Sequence, residues 1–170
     1  ASGYGALYSN SSGTRNTAFG YGALLKNTTG PYNTASGYQA LYSNTTGDYN
    51  TASGYEALYK NTTGGYNTAS GSYALYENTT GTRNIAIGYG AYDAADIEDD
   101  NLAIGYDALG GAISGGEYNV AIGNYSLDAN TSGDNNVAVG YNALTANTTG
   151  DYNVIIRRLI RCIVGLSEGW

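Results

Sequence analysis

The chain has 170 residues, of which 42% are apolar, so it can build a folded core and is not predicted to be disordered. It has no histidine and a single cysteine, Cys162, which excludes an imidazole base and a disulfide framework within one chain. Residues 1–153 carry only four basic side chains, and their acidic surplus argues against nucleic acid as a partner. No apolar run approaches the roughly 18 residues of a membrane span.

From Asn16 onward the chain repeats one short unit, best preserved as NTASGYQALYSNTTGDY. The unit is 17 residues long, with one copy of 18 residues between Asn101 and Asn119. Its recurring asparagine, taken as position 1, is found at Asn16, Asn33, Asn50, Asn67, Asn84, Asn101, Asn119, Asn136 and Asn153. Such a short period excludes helix pairs and propeller blades and matches one turn of a β-solenoid.

Within each unit, positions 1 to 4 predict a short strand because later copies read NIAI, NLAI, NVAI and NVAV. Position 5 is always glycine, which allows a corner or a close approach of two backbones. Positions 6 to 10, such as YQALY, predict a second strand, and NTTG predicts a turn. The prediction is an all-β parallel β-solenoid, or β-roll, over residues 1–153, about 40 Å long if eight coils stack at the usual strand spacing.

The first strand is apolar on both faces in the later copies. Val120 and Ile122 point to one side and Ala121 to the other, so both faces are predicted to be buried. One face lines the coil and the other meets another copy of the chain, and the sequence leaves open which is which. The candidate residues for the core or the oligomer interface are Ala86, Ala103, Ala121, Ala138, Val120 and Ile122.

An acidic run replaces the NTTG turn in the unit that starts at Asn84. Its carboxylates, which are weak candidates for a metal site, belong to Asp93, Asp96, Glu98, Asp99 and Asp100. They could supply oxygen ligands to Ca²⁺, but their spacing fits no calcium-loop signature. A solvated acidic loop is the favoured alternative, and no other cofactor is predicted.

Tyrosines recur at two positions of the unit and predict ladders along the stack. Tyr42, Tyr59 and Tyr76 share position 10 and are the candidates for surface binding, because rigid amphipathic rings suit contacts with glycans or proteins. The alternative is that one ladder packs between subunits while the other covers the core. The lack of histidine and of any activated nucleophile predicts that the chain is not an enzyme.

The repeat pattern ends at residue 153, and residues 154–170 are predicted to form a separate tail. Ile156, Ile160 and Ile163 have the spacing of one turn of a coiled-coil seam. A cap over the last coil is the alternative, and a non-native extension is a third.

The units NIAIGYGA, NLAIGYDA, NVAIGNYS and NVAVGYNA resemble the head repeats of trimeric autotransporter adhesins. The longer GYxAL…NTTG form resembles tail-fibre-like repeat proteins of bacteria and phages. The resemblance covers Ala1 to about Val154, although 17 residues exceed the usual adhesin-head repeat. It implies a left-handed parallel β-roll that trimerises side by side on a cell or virion surface.

By this resemblance the chain is a structural and adhesive domain of an extracellular fibre or adhesin. Its side would bind a glycan, a protein receptor or a surface. The alternative is a purely structural subunit of an end-to-end filament without a specific ligand.

Overall fold

The computed structural model describes residues 1–94, 96–111 and 115–157. Their strands form one parallel sheet in which neighbours in the sequence are neighbours in space. The strands are β1 (Thr17–Phe19), β2 (Thr34–Ser36), β3 (Thr51–Ser53), β4 (Thr68–Ser70), β5 (Ile85–Ile87), β6 (Leu102–Ile104), β7 (Val120–Ile122), β8 (Val137–Val139) and β9 (Val154–Ile156). Each coil contributes one strand in strict register, as Ala35 pairs with Ala52. The predicted all-β solenoid of 17-residue coils is confirmed.

The second strand predicted at positions 6 to 10 is wrong, because this segment is a series of turns. In one coil the N–H of Tyr42 donates to the carbonyl of Gln39 at 3.3 Å. Gln39 and Leu41 have positive φ angles of 51° and 52°. Ala40 and Leu41 are adjacent and both fully buried. An extended strand would send them to opposite faces, and the alternating turns bring both into the same core.

The alanine at position 3 faces the interior of its own coil. Ala86, Ala103, Ala121 and Ala138 are each 0% exposed, so these candidates belong to the core. Positions 2 and 4, including those of β7, are on the outer face of the sheet. The question that the sequence left open is therefore answered: the small side chain is inside and the β-branched pair outside.

Two rows of buried asparagines run along the interior. At position 1 the Oδ1 of Asn16 accepts the backbone N–H of Asn33 at 2.8 Å, and Nδ2 of Asn33 donates to the carbonyl of Gly47 at 2.7 Å. At position 12 the Nδ2 of Asn44 donates to Oδ1 of Asn27 at 2.8 Å. Such ladders satisfy buried amides and join each coil to the next.

The invariant glycine at position 5 is where consecutive coils come closest. Gly37 has φ = 143°, and a Cβ there would lie 2.2 Å from the carbonyl oxygen of Gly54. A side chain would collide with rigid backbone, which explains why every copy keeps glycine.

Position 15, the glycine of the NTTG turn, is different in one coil. Glu98 takes the place of the usual glycine and is 3% exposed. Its carboxylate accepts N–H groups from Asp96 at 3.0 Å, from Ile97 at 3.1 Å and from Gly115 at 2.8 Å. Gly115 belongs to the 18-residue copy, so the buried glutamate contacts the one coil that differs in length.

The sheet continues past the predicted domain boundary at residue 153. Val154 pairs with Val137 and Ile156 with Val139, so β9 forms a further rung of the solenoid. The remaining part of the predicted tail, with Ile160 and Ile163, lies outside the described residues.

Candidate binding surface

The ladder predicted for surface binding is formed by the rings of Tyr42, Tyr59 and Tyr76, which we call the position-10 ladder. Ring centroids of Tyr42 and Tyr59 are 5.2 Å apart, and those of Tyr59 and Tyr76 are 5.3 Å apart with an interplanar angle of 6°. All three side chains are half-buried. The ladder is thus a rigid, partly exposed strip.

Two lysines flank the position-10 ladder. Nζ of Lys26 is 5.0 Å from the ring centroid of Tyr42, and Nζ of Lys60 is 5.6 Å from that of Tyr76. Lys60 also forms a salt bridge with Glu77 at 2.6 Å. The strip therefore combines aromatic faces with cations, a chemistry suited to polar or acidic ligands.

Two groups on this strip have shifted pKa values. Hydrogen bonding to Glu77 raises the pKa of the Lys60 ammonium. Burial, with the neighbouring tyrosines, raises the pKa of the Tyr59 phenol. Both shifts keep the charge pattern of the strip unchanged around neutral pH.

A second aromatic row runs along most of the stack. Its rings are in contact in the order Tyr4, Tyr21, Tyr38, Tyr55, Tyr73, Tyr89, Tyr106, Tyr125 and Tyr141. Position 6 lacks tyrosine at Ser72 and Asn124, but Tyr73 and Tyr125 at position 7 fill these gaps. Because the ladder predicted from the sequence requires identical positions, it misses this continuity. Within the row the adjacent Glu56 carboxylate raises the pKa of the Tyr55 phenol to about 12.

A third tyrosine ladder occupies position 17 and was not predicted. Tyr32 and Tyr49 stack with centroids 4.6 Å apart, and Tyr49 and Tyr66 stack at 4.9 Å. Arg15, at the same position of the preceding coil, lies over the ring of Tyr32, with Cζ 4.9 Å from the ring centroid. The signal was present in the sequence as the same 17-residue spacing.

Three carboxylates of the acidic run have partners within the protein, and two of them, Asp99 and Asp100, share Arg83. Asp96 accepts a hydrogen bond from the Thr79 hydroxyl. Asp99 accepts the backbone N–H of Thr82 at 2.6 Å. Asp100 pairs with Arg83 at 2.6 Å, and this guanidinium lowers the pKa of the Asp100 carboxyl.

Asp93 lies apart from the rest of the acidic run, beside Asp107. A Cβ on Gly90 would be 3.6 Å from an oxygen of Asp93 and 2.4 Å from one of Asp107. Burial and the charge of Asp107 raise the pKa of the Asp93 carboxyl to about 6. Across residues 1–94, 96–111 and 115–157, no set of three or more acidic or cysteine side chains has the arrangement of a metal site. The Ca²⁺ hypothesis stays a prediction.

The outer face of β5 to β8 carries two rows of apolar side chains, which we call the apolar face. Position 2 supplies Ile85, Leu102, Val120 and Val137, and position 4 supplies Ile87, Ile104, Ile122 and Val139. Ile85 and Ile87 are 39% and 42% exposed, and the others are half-buried. The same face of β2 to β4 carries Thr and Ser instead.

A shallow cleft of about 350 Å³ lies near the amino-terminal end of the stack. Its walls are Tyr4, Gly5, Tyr8 and Leu25. Leu25 occupies position 10, so the cleft lies where a ring of the position-10 ladder is missing between Tyr8 and Tyr42.

The described part of the chain has no helix with the length and apolar character needed to cross a membrane. Comparison with protein-family models, with curated proteins and with solved structures finds no match for this chain.

Proposed function

We propose that this solenoid is a structural and adhesive domain of an extracellular fibre or surface adhesin, and that it works as a homotrimer. Three copies pack side by side through the apolar face, and the position-10 ladder binds a glycan, protein receptor or surface. The single observation that carries the proposal is the apolar face. A contiguous apolar patch on the outside of a folded chain is typical of an interaction site.

The apolar face favours self-association over other partners. Its two rows are in register and made of β-branched or Leu side chains that pack well between sheets. A second and a third copy of the chain present the same rows with the same spacing, so a side-by-side assembly buries the full length of each face. The Thr and Ser of β2 to β4 leave the other half of the same face polar.

The position-10 ladder supports binding through many weak contacts. Lys26 adds positive charge to its rings in a chain that is otherwise acidic, whereas the charge of Lys60 is paired with Glu77. A trimer presents the ladder three times, and multivalency strengthens attachment without requiring a deep pocket.

The assembly is tested by light scattering after size exclusion, which we expect to give roughly three times 17.7 kDa. Ile104→Asp places a carboxylate in the apolar face and should yield a folded monomer, because the charge would be buried unpaired in the trimer. Ser53→Asp, at the same position of β3, is the matched control and should leave the mass unchanged. A monodisperse monomer of the unaltered chain at micromolar concentration would contradict the proposal.

Adhesion is tested by immobilising the protein and screening glycans, matrix proteins and whole cells. The triple variant Tyr42→Ser, Tyr59→Ser, Tyr76→Ser should lose most of the binding while circular dichroism shows an intact fold. The control removes as many rings from the neighbouring row, by Tyr21→Ser, Tyr38→Ser and Tyr55→Ser. An equal loss of binding in both triple variants argues against the position-10 ladder as the binding site. No binding, with end-to-end polymers in electron micrographs, argues for a structural filament instead.

A further inference from the structure

Tyrosines of consecutive coils are held face to face in the amino-terminal half of the stack. In the position-17 ladder Tyr32, Tyr49 and Tyr66 stack at 4.6 and 4.9 Å with interplanar angles of 7° and 8°. These rings are also 37%, 45% and 57% exposed, so small oxidants reach them. Near-parallel rings at equivalent repeat positions bring the same carbon atoms of both phenols side by side.

This arrangement favours one chemical reaction of phenols. A one-electron oxidant removes an electron from each of two tyrosines, and each phenolic proton passes to water. The two radicals then join through the ring carbons ortho to oxygen, and the two hydrogens on those carbons move as protons to the phenolic oxygens. This restores both phenols, and the net loss is two electrons and two protons. With a haem peroxidase, one hydrogen peroxide accepts the two electrons and two protons and becomes two waters.

We propose that the stacked tyrosines of neighbouring coils are sites of oxidative cross-linking, with Tyr49 joining either Tyr32 or Tyr66 as dityrosine. The oxidant is a peroxidase with peroxide or another one-electron oxidant of the extracellular space. Because the folded chain holds each pair in contact, coupling within the chain outcompetes coupling between chains.

The structure also selects among the tyrosine pairs. Face-to-face pairs extend through Tyr21 and Tyr38, whose interplanar angle is 10°. By contrast, Tyr125 and Tyr141 meet edge to face, at 86° and a centroid distance of 6.2 Å. Edge-to-face rings do not present equivalent carbons to each other, so such pairs should cross-link less than stacked pairs such as Tyr89 and Tyr106, whose interplanar angle is 10°.

A cross-link at the position-17 ladder would have a mechanical effect. Each link joins residues 17 apart and closes one coil of the solenoid covalently. Like a disulfide, it lowers the conformational entropy of the unfolded chain. It also prevents neighbouring coils from separating. Oxidation would thus harden the rod at the coils whose outer sheet face is most polar.

The experiment treats the full chain, at high dilution, with a haem peroxidase and hydrogen peroxide. Products are followed by dityrosine fluorescence, by the loss of two hydrogens per link in intact mass, and by peptide mapping. We expect Tyr32–Tyr49 and Tyr49–Tyr66 links within single chains, which keep the mass of one chain under denaturing conditions, and a higher melting temperature for the cross-linked product. The same treatment in urea should yield few links at these pairs.

Tyr49→Phe keeps an aromatic ring in the stack but removes the phenol, and it should abolish both position-17 links. Tyr152→Phe is the control, since Tyr152 is 78% exposed and stacks on no other ring among the described residues. Links that appear equally in urea, that spread evenly over edge-to-face pairs, or that persist at the position-17 ladder of Tyr49→Phe would overturn the proposal.

Discussion

The side-chain amide of Asn78 donates to Oδ1 of Asn61 at 2.9 Å, whereas Oδ1 of Asn78 has no hydrogen-bond partner within the part of the chain that the structure describes. The position-12 ladder is therefore interrupted after Asn78, and it resumes where Nδ2 of Asn147 donates to Oδ1 of Asn130 at 3.1 Å. The sequence explains this interruption, because the equivalent residue of the next unit is alanine, Ala95, which carries no amide.

This broken ladder predicts unequal costs for two identical substitutions. Asn61→Ala removes an internal rung and leaves the amide oxygen of Asn44 unpaired, which costs about 1–3 kcal/mol beyond the lost bonds. Asn78→Ala leaves Oδ1 of Asn61 unpaired but removes the orphaned oxygen of Asn78. The number of unpaired buried oxygens therefore stays the same, and this variant should destabilise less. Urea unfolding of both variants measures the difference, and an equal or larger loss for Asn78→Ala would show that the ladder is not cooperative.

A charge introduced on the inner face of a strand should destabilise the fold far more than the same charge on its outer face. Ala52→Asp buries an unpaired carboxylate in the coil interior and should cost several kcal/mol, because Ala52 is 0% exposed. Thr51→Asp, one residue earlier on the exposed side of β3, should change the free energy of unfolding by less than about 1 kcal/mol. Thermal melts of the pair test which face is the core. Similar losses in both variants contradict the assignment.

The environment of Asp93 predicts a stability that decreases as pH rises. Its pKa in the folded chain, about 6, is above that of the unfolded chain, so the folded state binds more protons between pH of about 4 and 6. Above this window the charged Asp93 faces Asp107, Asp128 and Glu77, and the folded state loses stability. Asp93→Asn should therefore raise the melting temperature at neutral pH and have little effect near pH 4. An increase in the melting temperature of Asp93→Asn that is the same at pH 4 and at neutral pH would contradict this explanation.

The partners of the acidic run predict no response to calcium removal. Asp96, Asp99 and Asp100 are already paired with protein groups, and a bound ion would have to replace those bonds. We expect a chelator to leave the melting temperature unchanged, because only a ligand held by the folded state adds stability. A decrease of several degrees that Asp99→Asn with Asp100→Asn abolishes would instead support a calcium site.

The repeat period predicted the class of fold because a 17-residue spacing leaves room for little else than one coil. It could not assign the inner face of the strand, since alanine and β-branched residues are both apolar. The structure places alanine inside because the coil is thin and its interior also holds two rows of asparagine.

The failed prediction of a second strand had a warning in the sequence. Positions 8 and 9 are both apolar in nearly every unit, as in Ala40–Leu41, and a strand with one buried face alternates instead. The continuity of the long tyrosine row had no such signal, because Tyr73 and Tyr125 shift by one position and only the turn geometry returns their rings to the row.

The contact between Gly37 and the Gly54 carbonyl recurs at each step, so the fold specifies how one coil meets the next without fixing how many coils there are. Length is thus a variable that evolution or an engineer can change in whole coils. Excision of residues 34–50 would rejoin equivalent surfaces and shorten the rod by one rung. Excision of a number of residues that is not a multiple of 17 would displace every ladder beyond the cut.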